Sequence, residues 1–250
     1  MKLISLNTWS GRAGEEKLLD FFQRYNDVDI FCLQEVQDGG DPALWTKIAG
    51  RHLPKASITL LDDIKKTLQK HSAYFRLQFR DCLGVATFIR KDLEVTEEGE
   101  TYVYQEKGYV SETELADHAR NLQYVAFEAL KGLRTVTNLH TLWTKDKGDN
   151  AERLLQSDKI LNFVGRFKNP VIMCGDFNLR PDTESIKKLE KAGFRNLIKE
   201  YGITSTRNSY YKYPEKFADY IFVNDGIKVN DFKVLPDEVS DHAPLFLDFD

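Results

Sequence analysis

Residues 171–180 read Val-Ile-Met-Cys-Gly-Asp-Phe-Asn-Leu-Arg. The apolar run from Val171 to Gly175 predicts a strand covered on both faces. It then ends in an acid and an amide two positions apart. Side chains two apart in an extended chain point to the same side. Asp176 and Asn178 therefore project together, with Phe177 turned away. Gly175 permits a turn or a close approach. A carboxylate beside an amide at a strand mouth suits a site that orients water and hydrogen-bonds an anion. Taken by itself, the stretch is more simply a turn closed by an Asx hydrogen bond.

Other strands end the same way. Asn7 closes the first as Leu6-Asn7-Thr8-Trp9, and Glu35 the second as Leu33-Gln34-Glu35-Val36. His140 closes a third, Asn138-Leu139-His140-Thr141, and Asp219 stands at the mouth of Ala218-Asp219-Tyr220-Ile221-Phe222. Asp241 and His242 adjoin in Ser240-Asp241-His242-Ala243-Pro244. Neighbours in a straight strand point apart, so this pair needs a turn to face one site. Each residue has a plain reading of its own, as a surface acid, a core histidine or a cap. Polar ends on five or six strands are costly to bury without partners, so they are expected to meet around an ion or an anion.

The rest of the chain supplies the frame. Strands are predicted at Lys2 to Thr8, Asp29 to Leu33, Tyr74 to Arg80, Val85 to Arg90, Leu122 to Leu130, Arg134 to His140, Asp219 to Val223, Ile227 to Leu235 and Ala243 to Phe249. Helices are predicted at Glu15 to Tyr25, across the lysine-rich Pro42 to Lys70, at Ala151 to Phe167 with Leu154, Leu155, Leu161 and Val164 as one stripe, and at Asp182 to Lys191. Glu97 to Ala119 reads as part strand, part loop. No repeat or Pro/Gly/Ser-rich linker interrupts the sequence, so residues 1–250 are expected to form one α/β domain.

The ordered set Asn7, Glu35, His140, Gly175-Asp176-Phe177-Asn178, Asp219 and Ser240-Asp241-His242 resembles the endonuclease/exonuclease/phosphatase superfamily, from Lys2 to Phe249. The Leu-Asn-Thr-Trp start is similar to that of neutral sphingomyelinases. Gly-Asp-Phe-Asn-Leu-Arg and Ala151-Glu152-Arg153 resemble tyrosyl-DNA phosphodiesterases of the second type, although the Ser-His-Leu-Glu-Ser block of those enzymes is absent. The resemblance implies a four-layer α/β/β/α sandwich, two packed mixed sheets flanked by helices. It implies a phosphoester hydrolase using Mg²⁺ or Mn²⁺, most readily a phosphodiesterase or nuclease, or else an enzyme for small or lipid-derived phosphoesters. Glu35 is then the metal carboxylate, with Asn7 and Asp241 beside it. Asp176 and Asn178 position the attacking water and a phosphate oxygen, Asp219 fixes the tautomer of His242, and His140 contacts the phosphate or the leaving group. Many relatives carry an arginine where Arg120 stands, holding the site or the phosphate, against the plain reading of a strand-end surface arginine; Asp81 is a candidate partner of His140 that no motif fixes.

Composition narrows the partners. A net charge of −4 argues against strong nonspecific attraction to a polyanion, though a local basic groove remains open. Lys145, Lys147, Arg180, Arg207 and Lys212 are candidates for such a groove, and Trp9, Trp143, Tyr104, Tyr109, Tyr210, Tyr211 and Tyr213 for stacking or packing. No apolar run reaches the ~18–20 residues of a membrane span. Three cysteines, Cys32, Cys82 and Cys174, offer neither a disulfide framework nor a zinc spacing. The expectation is a cytoplasmic monomer with a phosphoester substrate, nucleic acid being among the candidates.

Overall fold

The computed structural model describes residues 1–41, 55–80, 82–114 and 116–250. Asp81 and residues 42–54 of the expected Pro42 to Lys70 helix lie outside them. Among the described residues twelve strands, numbered along the chain, form two six-stranded mixed sheets. In spatial order the first holds β11 (Val229–Val234), β12 (Leu245–Phe249), β1 (Lys2–Asn7), β2 (Ile30–Gln37), β4 (Leu83–Arg90) and β3 (His71–Phe79). The second holds β5 (Val95–Tyr104), β6 (Arg120–Ala129), β7 (Gly132–His140), β8 (Val171–Asp176), β10 (Asp219–Val223) and β9 (Arg195–Asn196). Each sheet contains one parallel pair, β1–β2 and β7–β8. Parallel neighbours need a crossover. The crossovers run through α1 (Glu15–Arg24) and α3 (Ala151–Val164). Further helices are α2 (Leu60–Thr67), α4 (Glu184–Lys191) and α5 (Leu197–Glu200). The flanking helices complete the expected sandwich.

Side-chain parity sorts the layers. In the first sheet Ile4, Leu6, Phe31, Leu33, Ala86 and Phe88 pack with Leu18, Phe21 and Phe22 of α1 and with Leu60, Leu61 and Ile64 of α2. The alternate residues Leu3, Ile30, Cys32 and Ile89 join the core shared with the second sheet. Asn7 has the parity of Leu3 and therefore points between the sheets. So does Gln34, which donates to Asn138 Oδ1 of the opposite sheet at 2.7 Å. The inter-sheet layer thus turns from apolar to polar as it approaches the strand ends.

Helix α3 departs from expectation. Its buried residues are Arg153, Gln156, Ser157, Ile160 and Val164, while Leu155 is exposed. Two polar attachments rotate its first turns. Arg153 donates from Nη1 to Asn178 O and from Nη2 to Leu142 O, both at 2.7 Å. Gln156 Oε1 accepts from Leu142 N at 3.3 Å. Hydrogen bonds to otherwise unpaired buried carbonyls outweigh the gain from seating one leucine. All three cysteines are buried and form no disulfide with one another. Among the described residues, no helix is long and apolar enough to cross a membrane.

Candidate active site

Strand register assembles half of the site. His140 of β7 stands opposite Asp176 of β8. Asp176 in turn stands opposite Asp219 of β10. One row across three adjacent strands therefore carries a histidine and two carboxylates. Gly175, paired with Leu139, makes that row possible: a Cβ there would lie 2.0 Å from Leu139 O. Its φ of +139° is also one that L side chains rarely adopt.

The other sheet contributes Asn7 and Glu35. A regular β2 would turn Glu35 away from Gln34, towards α1. Instead the register shifts between Leu33 and Val36, and Glu35 takes φ +52°. This bulge aims the carboxylate at the site. Asn7 joins the two sheets, donating from Nδ2 to Glu35 Oε1 at 3.1 Å and to Asp176 Oδ2 at 3.0 Å. Its amide oxygen accepts from Trp9 N at 2.9 Å.

The Ser240–His242 turn brings in the last two groups. His242 Nδ1 lies 2.8 and 2.9 Å from the two oxygens of Asp219, whose Oδ2 also accepts from Thr206 Oγ1 at 3.0 Å. His242 Nε2 lies 3.7 Å from Asp176 Oδ2 and 3.8 Å from Asp241 Oδ1. Asp241 accepts from Arg207 Nη1 at 3.2 Å, and that guanidinium lies 4.1 Å from the ring centroid of Tyr211. His140 Nε2 is 3.8 Å from Asp176 Oδ2 and 3.9 Å from Glu35 Oε1, beyond hydrogen-bond reach. The Asx bond of Asn178 N to Asp176 Oδ1, 2.8 Å, is present as well. Turn and site are the same piece of chain.

Burial and charge set opposite protonation states. Burial, with Arg120 beside it, drives His140 down to about 3, so its ring is neutral. Burial and Arg207 also oppose a proton on His242, but Asp219, Asp241 and Asp176 outweigh them and raise its pKa. Burial pushes Asp176 upward, yet His242, His140, Lys147 and Arg207 together hold it well below the usual carboxylate range. Burial lowers Arg120 to about 10 and Lys147 to about 8.

His140, His242, Asp176, Arg120 and Arg207 line a cavity of about 450 Å³. Trp9, Trp143, Tyr211 and Tyr213 form part of its wall, and Arg12, Arg120 and Arg207 reach it from the protein side. Arg120 donates from Nη2 to Ala116 O at 3.1 Å, while among the described residues its buried Nε and Nη1 meet no hydrogen-bond acceptor. Such a guanidinium suits an anion. Of the basic residues singled out in the sequence, Lys147 and Arg207 are buried at the site, whereas Lys145, Arg180 and Lys212 are exposed.

The donor set also fits a hard cation. Glu35 is a partly exposed carboxylate on the cavity wall. Ligand atoms of Asp176, Asp219 and His242 all lie within 4.8 Å of one another, so this buried group could hold a metal ion. Carboxylate oxygens without thiolates favour Mg²⁺ or Mn²⁺ chemistry over a structural zinc.

Sequence reasoning passed over the strain that builds the site. Among the described residues, seven other than glycine have positive φ, and Trp9, Ser10, Glu35, Lys147 and Asn178 are five of them. All five line the cavity or touch a residue that does. Such conformations cost ~1–3 kcal/mol each and gather where geometry serves function. Helix α3 offered one signal that periodicity did not use, a buried Arg153 reaching the Asn178 carbonyl.

Known proteins resemble this chain throughout its length. A mannosyl-6-phosphatase from Bacteroides thetaiotaomicron superposes with a TM-score of 0.73 at 19% identity, covering 100% of this chain and 99% of its own. A functionally unknown conserved protein from Enterococcus faecalis gives 0.75 at 19%, with 100% and 99% covered. TDP2 of D. rerio, solved with a single-strand DNA product, gives 0.72 at 17%, with 100% and 98% covered. A search of curated protein sequences finds no match. The profile of the Endonuclease/Exonuclease/phosphatase family matches residues 4–242, a span that begins in β1 and ends on His242 itself. With every polar strand end inside that span, the chain belongs to the Endonuclease/Exonuclease/phosphatase family of phosphoester hydrolases.

Proposed function

We propose that this hydrolase is a Mg²⁺- or Mn²⁺-dependent phosphodiesterase, with single-stranded or flexible nucleic acid among its substrates. The observation that carries the reading is the row His140–Asp176–Asp219, closed by His242 and faced by Glu35 across the sheets. Glu35 would hold the cation with Asp241 beside it, and Asn7, whose Nδ2 donates to Glu35 Oε1, would orient that carboxylate. When bound, the cation neutralises phosphoryl charge and stabilises the leaving oxygen.

The chain's own groups do the rest. Arg120, Asn178 and His140 bind the phosphoryl oxygens. Asp219 keeps the proton of His242 Nδ1 in place, so that Nε2–H of the resulting cation faces the phosphate. Asp176, anionic, orients a water and accepts its proton as the water oxygen bonds to phosphorus. The P–O bond to the leaving group breaks, the departing oxygen takes a proton from solvent, and Asp176 releases to solvent the proton it accepted.

A second reading has its own support. The cavity of about 450 Å³ is lined by Arg12, Arg120 and Arg207 together with Trp9, Trp143, Tyr211 and Tyr213. That arrangement suits a single phosphoryl group on a ring-bearing small molecule. A substrate panel separates the two: single- and double-stranded DNA and RNA, run beside p-nitrophenyl mono- and diesters. Diester turnover that ceases with EDTA is expected. Turnover of monoesters alone would favour the second reading, and none on any ester would end both. Isothermal titration with Mg²⁺ tests the cation site, binding being expected for the wild type and lost in Glu35→Ala. A cytoplasmic monomer remains the proposal for the setting, supported by three buried cysteines that form no disulfide with one another. Thiol titration of protein taken directly from its cells, and light scattering, test it.

A further inference from the structure

Lys147 is the least expected charge near the site. Its residue is 2% exposed, and its Nζ donates to Asn178 Oδ1 at 2.8 Å. The backbone is fixed around that bond. Lys147 takes φ +49°, its N–H donates to Thr144 O at 3.2 Å, and its carbonyl accepts from Arg180 N at 3.0 Å. Asn178 is held as firmly. It takes φ +51°, its N–H donates to Asp176 Oδ1 and its carbonyl accepts from Arg153.

An ammonium is a donor only, so it can face the oxygen of an amide and never the nitrogen. Lys147 thereby decides which way the Asn178 amide points. The NH₂ end has two hydrogens, and its protein acceptor is Thr141 O at 3.4 Å. Asn178 lines the cavity beside Asp176 and His242. Burying an ammonium is costly, and a neutral donor would make the same bond more cheaply. The carboxylates of Asp176 and Asp219 offset that cost, while Arg207 and Arg153 oppose it.

We propose that Lys147 is a positioning residue for the hydrolysis: it pins the Asn178 amide with its NH₂ turned towards a phosphoryl oxygen in the cavity. This rests on the reading of the site as a phosphodiesterase centre. With the amide pinned, the donor is preorganised for charge that develops as the P–O bond breaks. An unpinned amide would spend part of its time with its oxygen facing the phosphate, repelling it.

The test is a double-mutant cycle of Lys147→Met and Asn178→Ala in the full chain. It is read as kcat and KM on bis-p-nitrophenyl phosphate at saturating Mg²⁺, with thermal melts of each variant. Each single change is expected to lower kcat by ~10–100-fold, with KM moving less than about threefold. The double variant should lose no more than about threefold beyond Asn178→Ala alone, because Lys147 acts through that amide. Losses that multiply, or a Lys147→Met enzyme within twofold of wild type, would overturn the proposal. Should Lys147→Met melt far below wild type, Lys147→Leu, which also lacks a donor, takes its place under the same criterion. Side-chain amide NMR keeps this question apart from the substrate reading. If no ester is turned over by the wild type, the phosphodiesterase reading has failed, and the NMR still decides whether Lys147 pins the amide. The Asn178 NH₂ signals, assigned by their loss in Asn178→Ala, are expected to shift or broaden in Lys147→Met. Signals unchanged by that substitution would overturn the pinning.

Discussion

His140 and His242 approach the same oxygen of Asp176, yet burial and neighbours drive their proton affinities in opposite directions. His140 titrates near 6.5 when unfolded and at about 3 in the fold. Between those values the unfolded chain takes up a proton that the native state refuses. Stability therefore falls as pH drops from about 6.5 towards 3, with a slope of up to ~1.4 kcal/mol per pH unit for one proton. His242 has the reverse sign. Its folded pKa is raised, so its contribution is present below 6.5 and is lost as pH rises through the folded value. His140→Gln is accordingly expected to flatten the acid limb of melting temperature against pH between about 6.5 and 4. A limb as steep as that of wild type in scanning calorimetry would contradict the assignment. At the other histidine, His242→Ala should lose ~10²–10⁴-fold in turnover, and Asp219→Asn less, because the ring itself stays. Equal losses in steady-state assays would mean that Asp219 does more than orient the imidazole.

At the scale of elements, β7, β8 and β10 act as one ruler: their pairing sets His140, Asp176 and Asp219 side by side before any side chain chooses a rotamer. Gly175 is the tightest point of that ruler. Gly175→Ala would drive a methyl into the Leu139 carbonyl, and a loss of about 2–3 kcal/mol or more is expected in chemical denaturation. Full retention of stability would mean that β7 and β8 can part without cost. The ruler was legible in the sequence because alternation fixes which residues share a face. Asn7, Asp176 and His140 follow from strand parity alone. Glu35 does not, since a bulge and a positive φ correct its direction, and neither leaves a mark on a hydrophobic pattern. Helix α3 was misread on its buried face for a related reason. Periodicity counts leucines, whereas the carbonyls of Leu142 and Asn178 held out for Arg153. The burial of Lys147 was likewise invisible, because the acids that compensate it come from distant strands.

Seen as a whole, the molecule closes on itself: β1 pairs with β12, and the amino terminus donates to Phe249 O. The site is where the two sheets meet, with Asn7 spanning them. We infer that residues 1–250 fold as one unit, and a single calorimetric transition with equal calorimetric and van't Hoff enthalpies is expected. Two separable transitions would divide the sheets. The central claim is that the ring around Asp176 performs phosphodiester hydrolysis. It is tested most directly by turnover of bis-p-nitrophenyl phosphate at saturating Mg²⁺ for wild type against Asp176→Asn, both folded by their melts. The account predicts metal-dependent turnover in the wild type and a loss of ~10²–10⁴-fold in the variant. Near-equal turnover of the two proteins would contradict it.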